Sequence, residues 1–505
     1  MVLGIDLGSS NTVAATIARD GTPVIIPDFN NKNEDATPSI ILLEGNKALV
    51  GTFAKNLFQL YPDKELLKFF KRKFGTQIPV TKADNNPIFS ETAAALLLKK
   101  VVFDAKLFSN EPIEKCVITI PSHYNDAQRK SVIEAAKLAD LELSTILDEP
   151  IAAAILYSQN NTNIEDELIM IYDLGGGTFD LTILTNSNNK IHVIAKGGIS
   201  NLGGKEFDEI IEKKINETYL SLFNKSLPND NLTVNKIKTI SEEIKIELNK
   251  GNHDGFSKWL FLGNQFFKIY FDKLEYTSLS KTLISKTETS VNKSLRSLGI
   301  QFSELHKIVL IGGASSSHLV YDFWKEKIDE NLQKIIYHQP LTSVAKGAAI
   351  YANSLSKNAS GFQSSIELSN VSTYNIALKD LSTSQTEIIV SKNLPLPVIG
   401  SKKIAINSNS QNKGIKFMLV QFFDLSDDIQ ELGEIILEQL PIKANDYTIE
   451  IIVENKSNGT LGLKVKDSNT NQNIKFEFLK KKQEFEYNFD QQYKLINSFY
   501  INNIP

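Results

Sequence analysis

Short apolar runs and longer helical patterns alternate through the first 355 residues. Val2–Asp6, Cys116–Ile120, Leu168–Asp173 and Lys307–Ile311 read as buried strands. Asp126–Ala139, Phe207–Tyr219 and Lys236–Leu248 carry helical spacing. The alternation predicts α/β layering. Beyond about Ala352 the pattern changes. Ser354–Ser365 is small and polar, as a linker would be. From Val371 to Leu479 short alternating strands follow one another: Gln385–Val390, Ile415–Phe423, Leu432–Leu437, Tyr447–Val453 and Leu461–Val465. Turn signals such as Asn458–Gly459 separate them, which predicts an all-β unit. Lys480–Pro505 is rich in Tyr, Phe and Asn and too weakly periodic to predict an element.

A chain of 505 residues is too long for one hydrophobic core. The expected division is an α/β domain at 1–353, a linker at 354–370, a β domain at 371–480 and a tail at 481–505. Hydrophobic residues at 42% and charged residues at 23% are ordinary for a globular protein. A formal net charge of −4 gives no support for a nucleic-acid partner or an acidic membrane. No run of eighteen apolar residues occurs, so no membrane span is expected. The N-terminus reads as a strand and not a signal peptide. The single cysteine, Cys116, excludes an intramolecular disulfide and fits a reducing, cytoplasmic setting. It opens an apolar run and is expected to be a buried strand residue.

Two segments share one design. Gly4–Ile5–Asp6–Leu7–Gly8–Ser9–Ser10–Asn11–Thr12 parallels Tyr172–Asp173–Leu174–Gly175–Gly176–Gly177–Thr178–Phe179–Asp180. Each is an apolar strand, an Asp, a glycine-rich turn and small hydroxyl residues. Such turns let backbone N–H groups approach a phosphate, and the hydroxyls add hydrogen bonds. The Asp at each strand end can hold magnesium through its waters. One such loop is equally a plain glycine turn, but two in matched context suggest opposed hairpins gripping a triphosphate. No Walker loop is present. Two further glycine sites are Asn201–Leu202–Gly203–Gly204 and Ile311–Gly312–Gly313–Ala314.

The ordered set is specific. It comprises Gly4–Thr12, then Ile120–Pro121 with Asn125–Asp126–Ala127–Gln128–Arg129, then Asp148–Glu149–Pro150 with Ala152–Ala154. Tyr172–Asp180, Leu202–Gly204 with Phe207–Asp208, and Ile311–Gly313 complete it. It resembles the nucleotide-binding domain of the heat-shock-70 chaperone family, closely over residues 2–352 and more loosely over 366–480. The resemblance implies an actin-like ATPase domain of two duplicated lobes, followed by an all-β sandwich that binds extended or unfolded polypeptide. It also implies ATP/ADP, Mg2+ and K+ as cofactors and a nucleotide-exchange factor as partner.

By position, Asp6 and Asp173 resemble the carboxylates that organise the metal ions and the attacking water. Gly8, Ser9, Ser10 and Asn11 match the first phosphate loop; Gly175, Gly176, Gly177 and Thr178 match the second. Lys71 falls where the family has its catalytic lysine, although Lys68, Arg72 and Lys73 make a solvated basic face an alternative. Glu149 matches the glutamate that senses the γ-phosphate, and is also a favourable helix-start carboxylate. Glu242 and Lys245 match a helix that bonds the adenosine, with Gly203, Gly204, Gly312, Gly313 and Ala314 nearby; the pair also fits an ordinary surface i, i+3 ion pair. Pro121 and Arg129 match residues that relay nucleotide state to the β domain.

The departures are informative. The family's helical lid has no counterpart after the β domain, so a bound peptide is expected to leave quickly. The apolar linker becomes Ser365–Ile366–Glu367–Leu368–Ser369–Asn370, and the arginine that receives J-domain co-chaperones becomes Thr145. Both changes weigh against J-domain stimulation. By the resemblance, Ser316 and Ile246 stand where the family has basic residues around adenine, and the Asp near the final helix is replaced in Pro340–Leu341–Thr342, which is expected to weaken adenine affinity. The function expected is a slow ATPase chaperone. The alternative is an ATP-binding regulatory or scaffold protein that grips one dedicated partner.

Overall fold

The structure, a computed structural model, describes residues 1–31, 34–61, 64–83, 85–160, 166–187, 190–250, 254–329, 334–356, 366–406, 415–423, 429–437, 447–479 and 487–502. Most of the polar stretch Ser354–Ser365 lies outside the described residues.

The chain is mixed α/β with several sheets. Two six-stranded sheets repeat one connectivity. In the first, Val2–Leu7, Asn11–Ile17 and Pro23–Ile26 form an antiparallel meander. Lys115–Ile120 then joins the free edge of Val2–Leu7 in parallel, and Leu143–Asp148 joins beyond it. In the second, Glu167–Leu174, Phe179–Ser187 and Lys190–Ile199 form the meander. Lys307–Ile311 and Lys334–Tyr337 add in parallel on the same side. The strands read from apolar runs all appear, because a strand covered on both faces carries no alternation and reads as one continuous run. The Asp-ended strand therefore starts each meander, and each glycine-rich turn is its first hairpin.

Two helices, Glu149–Asn160 and Ser343–Ser354, share a core with both sheets, including Val2, Val117, Ile151, Ile171, Val309 and Ala348. Small residues let them approach: a Cβ on Gly347 would meet the Ala152 carbonyl at 1.7 Å. The helices predicted at 126, 207 and 236 appear as Asp126–Leu138, Gly204–Phe223 and Asn231–Lys250. Asn125 caps the first, its side chain accepting from the Gln128 amide at 2.8 Å while Gln128 reaches back. Cys116 is buried among these elements, and burial pushes its thiol pKa upward.

From Asn375 to Leu479 the described strands pair antiparallel. A five-stranded sheet holds Thr386–Val390, Asn375–Asp380, Ile415–Phe422, Gln430–Leu437 and Glu477–Leu479. A three-stranded sheet holds Val398–Ile406, Tyr447–Asn455 and Leu461–Asp467. The two share one core that includes Leu378, Phe417, Leu419, Ile435, Ile451 and Val465. Within the expected linker, Glu367–Ser369 adds a parallel strand to Lys190–His192.

This β-rich region rests on the Asp126–Leu138 helix and the loop before it. Arg129 Nη1 donates to the Asn458 carbonyl at 3.0 Å, and the Leu461 amide donates to Asp126 Oδ1 at 2.8 Å. Thr373 Oγ1 donates to the Ser122 carbonyl at 3.0 Å, and the Tyr374 hydroxyl to the His123 carbonyl.

The C-terminal segment, for which the sequence predicted no element, forms a helix at Phe489–Asn497 and a strand at Tyr500–Ile501. It returns to the N-terminal part of the chain, where the strand pairs in parallel with Lys47–Ala48. No helix among the described residues is long and apolar enough to cross a membrane.

Candidate active site

The strands ending in Asp6 and Asp173 deliver their glycine turns to opposite walls of one open cavity of about 650 Å³. The turns nearly touch: a Cβ on Gly176 would lie 2.0 Å from Ser10 Oγ, a contact only glycine permits. Asp6, Gly8, Ser9, Ser10 and Asn11 line one wall. Asp173, Gly175, Gly176 and Thr178 line the other. Gly177 and Gly203 are not among the lining residues. The Gly177 carbonyl instead accepts Arg72 Nη2 at 2.8 Å, and the Gly203 amide donates to Glu206 at 2.7 Å.

Gly312 closes the floor. Its φ is 84°, and a Cβ there would stand 2.3 Å from Asp173 Oδ1. Gly312→Ala is expected to cost about 1–3 kcal/mol of stability, measured by urea unfolding without nucleotide.

Lys71 sits in the short 3-10 turn Phe70–Lys73, entered through Phe69 at a left-handed φ of 54°. The side chain is buried, and its Nζ donates to the Leu7 carbonyl and lies 3.8 Å from Glu149 Oε1. The competing reading of a solvated basic face is thereby corrected: Lys71 points inward and lines the cavity. Its neighbour Arg72 also bonds Glu206 at 3.0 Å, so one turn touches both walls.

Glu149, the first residue of its helix, is buried, and its Oε1 has no hydrogen-bond partner. Burial pushes Asp6 up to about 6, with Lys71 opposing. Burial pushes Glu149 well above the usual carboxylate range, against the pull of Lys71 and with help from Asp6 and Asp173. Asp173 is also held high by burial and by Asp180 and Asp6. The cavity thus gathers more carboxyl groups than one lysine can hold ionised together, and the protonated forms are favoured.

Gly204, Glu242, Lys245, Gly312, Gly313, Ala314 and Pro121 also line the cavity. Lys245 Nζ donates to the Gly204 carbonyl at 3.1 Å and pairs with Asp208 at 2.8 Å. Burial raises Asp208 to about 7, against Lys245. Ile246, Ser316 and Leu341 also line the cavity and put no charge on its wall. Asn249 and Ser317 also line it, joined by a 2.6 Å hydrogen bond. Neither was singled out in the sequence, because they lie 68 residues apart.

Arg129 is not on the cavity wall. It bonds Asp148 at 3.0 Å, and Lys196 bonds the other Asp148 oxygen at 2.5 Å. Burial would raise Asp148, but the two cations overcome it and hold the carboxyl below its usual range. Asp148 directly precedes Glu149, so Arg129 touches the β-rich region on one side and the root of the cavity carboxylate on the other. A second missed pair, His123 and Asp180, meets at 2.9 Å beside it.

Residues 2–87 and 77–494 match the family described as Hsp70 protein. The chain belongs to the Hsp70 family. It is accordingly a chaperone-type ATP-binding protein.

Proposed function

We propose that the chain is an actin-like ATPase of two lobes joined to a β-sandwich, hydrolysing ATP to control the grip of the sandwich on extended apolar peptide. The observation that carries this reading is the meeting of two Asp-headed glycine turns across one cavity, with Lys71 and Glu149 between them.

The residues fit magnesium. The buried Glu149 and Asp173 and the half-buried Asp6 share one lysine, and Oε1 of Glu149 has no hydrogen-bond partner. Among the described residues no group of three His, Cys, Asp or Glu side chains is placed to ligate an ion directly, and the proposal is of a cation held through its waters. Bound Mg2+ would neutralise phosphate charge and orient the triphosphate. The chain's own residues do the rest. Backbone N–H groups of the two turns cradle the phosphates. Lys71 stabilises charge on the departing γ-phosphate. Glu149 orients the attacking water and, in its ionised form, which Lys71 favours against burial, can accept its proton. Glu242 and Lys245 face the nucleoside end.

Protons compete with the cation for Asp6. Its carboxyl is protonated below about 6 in the ligand-free chain, so Mg-ATP affinity is expected to rise from pH 5.5 to 8. Isothermal calorimetry across that range is the test, and absence of binding heat at pH 8 overturns the proposal.

The scaffold reading, in which one dedicated partner is gripped, gains from the closed contact of the β-rich region with the Asp126–Leu138 helix. Peptide affinity indifferent to nucleotide would select it.

A further inference from the structure

The C-terminal segment is anchored as firmly as a core element. Ile496, Phe499 and Ile501 are buried in the core that holds Val50, Ala93 and Leu96. Gln492 is fully buried; it accepts from Thr92 Oγ1 at 2.5 Å and donates to the Pro87 carbonyl at 3.0 Å. Asn502 bonds both the amide and the carbonyl of Val50, at 2.8 and 3.1 Å, as a neighbouring strand would. At the rim, the Tyr493 hydroxyl donates to Asp140 at 2.8 Å and Lys99 to Asn497 at 2.7 Å.

The other end of this segment leads straight from the β-rich region. Only residues 480–488 join Leu479 to Phe489. An extended chain advances at most about 3.3–3.6 Å per residue, so this connection reaches on the order of 30 Å. The anchor lies against the Asp126–Leu138 helix and its neighbour Ser90–Phe108. The first of these also carries Asp126 and Arg129, which hold the β-rich region directly. A nine-residue helix is too short to persist alone in water. The segment is therefore either docked in its groove or unfolded.

We propose that residues 487–502 are an intramolecular clasp that keeps the β-rich region closed on the α/β region. With the clasp seated, the β-rich region can shift within its tether but cannot swing free. Full separation requires the segment to peel from its groove, giving up the buried Gln492, Ile496, Phe499 and Ile501.

The test uses the full chain with residues 481–486 replaced by a site-specific protease sequence. Lys137→Cys and Gln472→Cys, both at exposed positions, carry a donor–acceptor dye pair; Cys116 is buried and stays unlabelled. Energy transfer is read before and after cleavage, with and without Mg-ATP. The uncut chain should show one high-transfer population in both conditions. Cleavage should add a low-transfer population in at least one. Gln492→Ala in the uncut chain should move transfer the same way by loosening the anchor. Identical transfer in cut and uncut chains under both conditions overturns the proposal, as does a low-transfer population in the uncut chain with wild-type Gln492.

Discussion

Lys71→Ala is expected to lower single-turnover ATP hydrolysis by about 10²–10³-fold, the usual loss when one preorganised charge is removed from a reacting group. The size follows from where the charge sits. Lys71 is 2% exposed and lies between Leu7 and Glu149, so bulk water cannot replace it. Its loss also leaves Asp6, Glu149 and Asp173 facing one another without a counter-charge. The variant should fold, because the 3-10 turn is independently pinned by Arg72 on the Gly177 carbonyl. An unchanged single-turnover rate would remove Lys71 from the chemistry and leave the cavity a binding site only.

The largest expected effect on stability lies away from the cavity. Lys100, on the Ser90–Phe108 helix, is wholly buried between Asp28, at 2.8 Å, and Asp104 one turn further on. Asp28 also accepts from Thr52 Oγ1 at 3.0 Å and from the Asn30 amide at 2.9 Å. Lys100→Met would strand two buried carboxylates, at a cost of about 3–5 kcal/mol by urea unfolding at pH 7.5. Asp104→Asn should cost far less, because Lys100 keeps Asp28. The pH dependence has a definite sign. Burial already raises Asp104 to about 6, with Lys100 opposing, and removing Lys100 raises it further. The folded variant then binds a proton that the unfolded chain does not, so its deficit shrinks as pH falls from 7.5 toward 5. A deficit below about 1 kcal/mol would show that this buried triad is not what holds the helix in place.

The sequence discloses what local composition controls. Leu168–Asp173 is legible because a strand covered on both faces shows as an uninterrupted apolar run. The Asp6 and Asp173 turns are legible because glycine and small hydroxyls in a fixed order have few other uses. What escapes is pairing across long separations. Lys196 looks like any polar strand residue until the fold brings Asp148, 48 residues away, against it. Asn249 and Ser317 meet only because the cavity end is closed by two distant elements. The C-terminal segment fails for another reason. Its buried residues Ile496, Phe499 and Ile501 span a switch from helix to strand, so no single period holds, and the surface that buries them is built from residues far earlier in the chain. Gly177 and Gly203 follow the motif by spacing but serve as braces behind the wall, a distinction spacing alone does not carry.

Arg72 has a mechanical consequence. It follows Lys71 directly and bonds Gly177 and Glu206 behind the opposite wall. Any spreading of the walls would therefore break that grip or draw Lys71 away from Leu7 and Glu149. If the proposed chemistry runs through Lys71, opening and catalysis are linked through two adjacent residues, and this turn is an interlock.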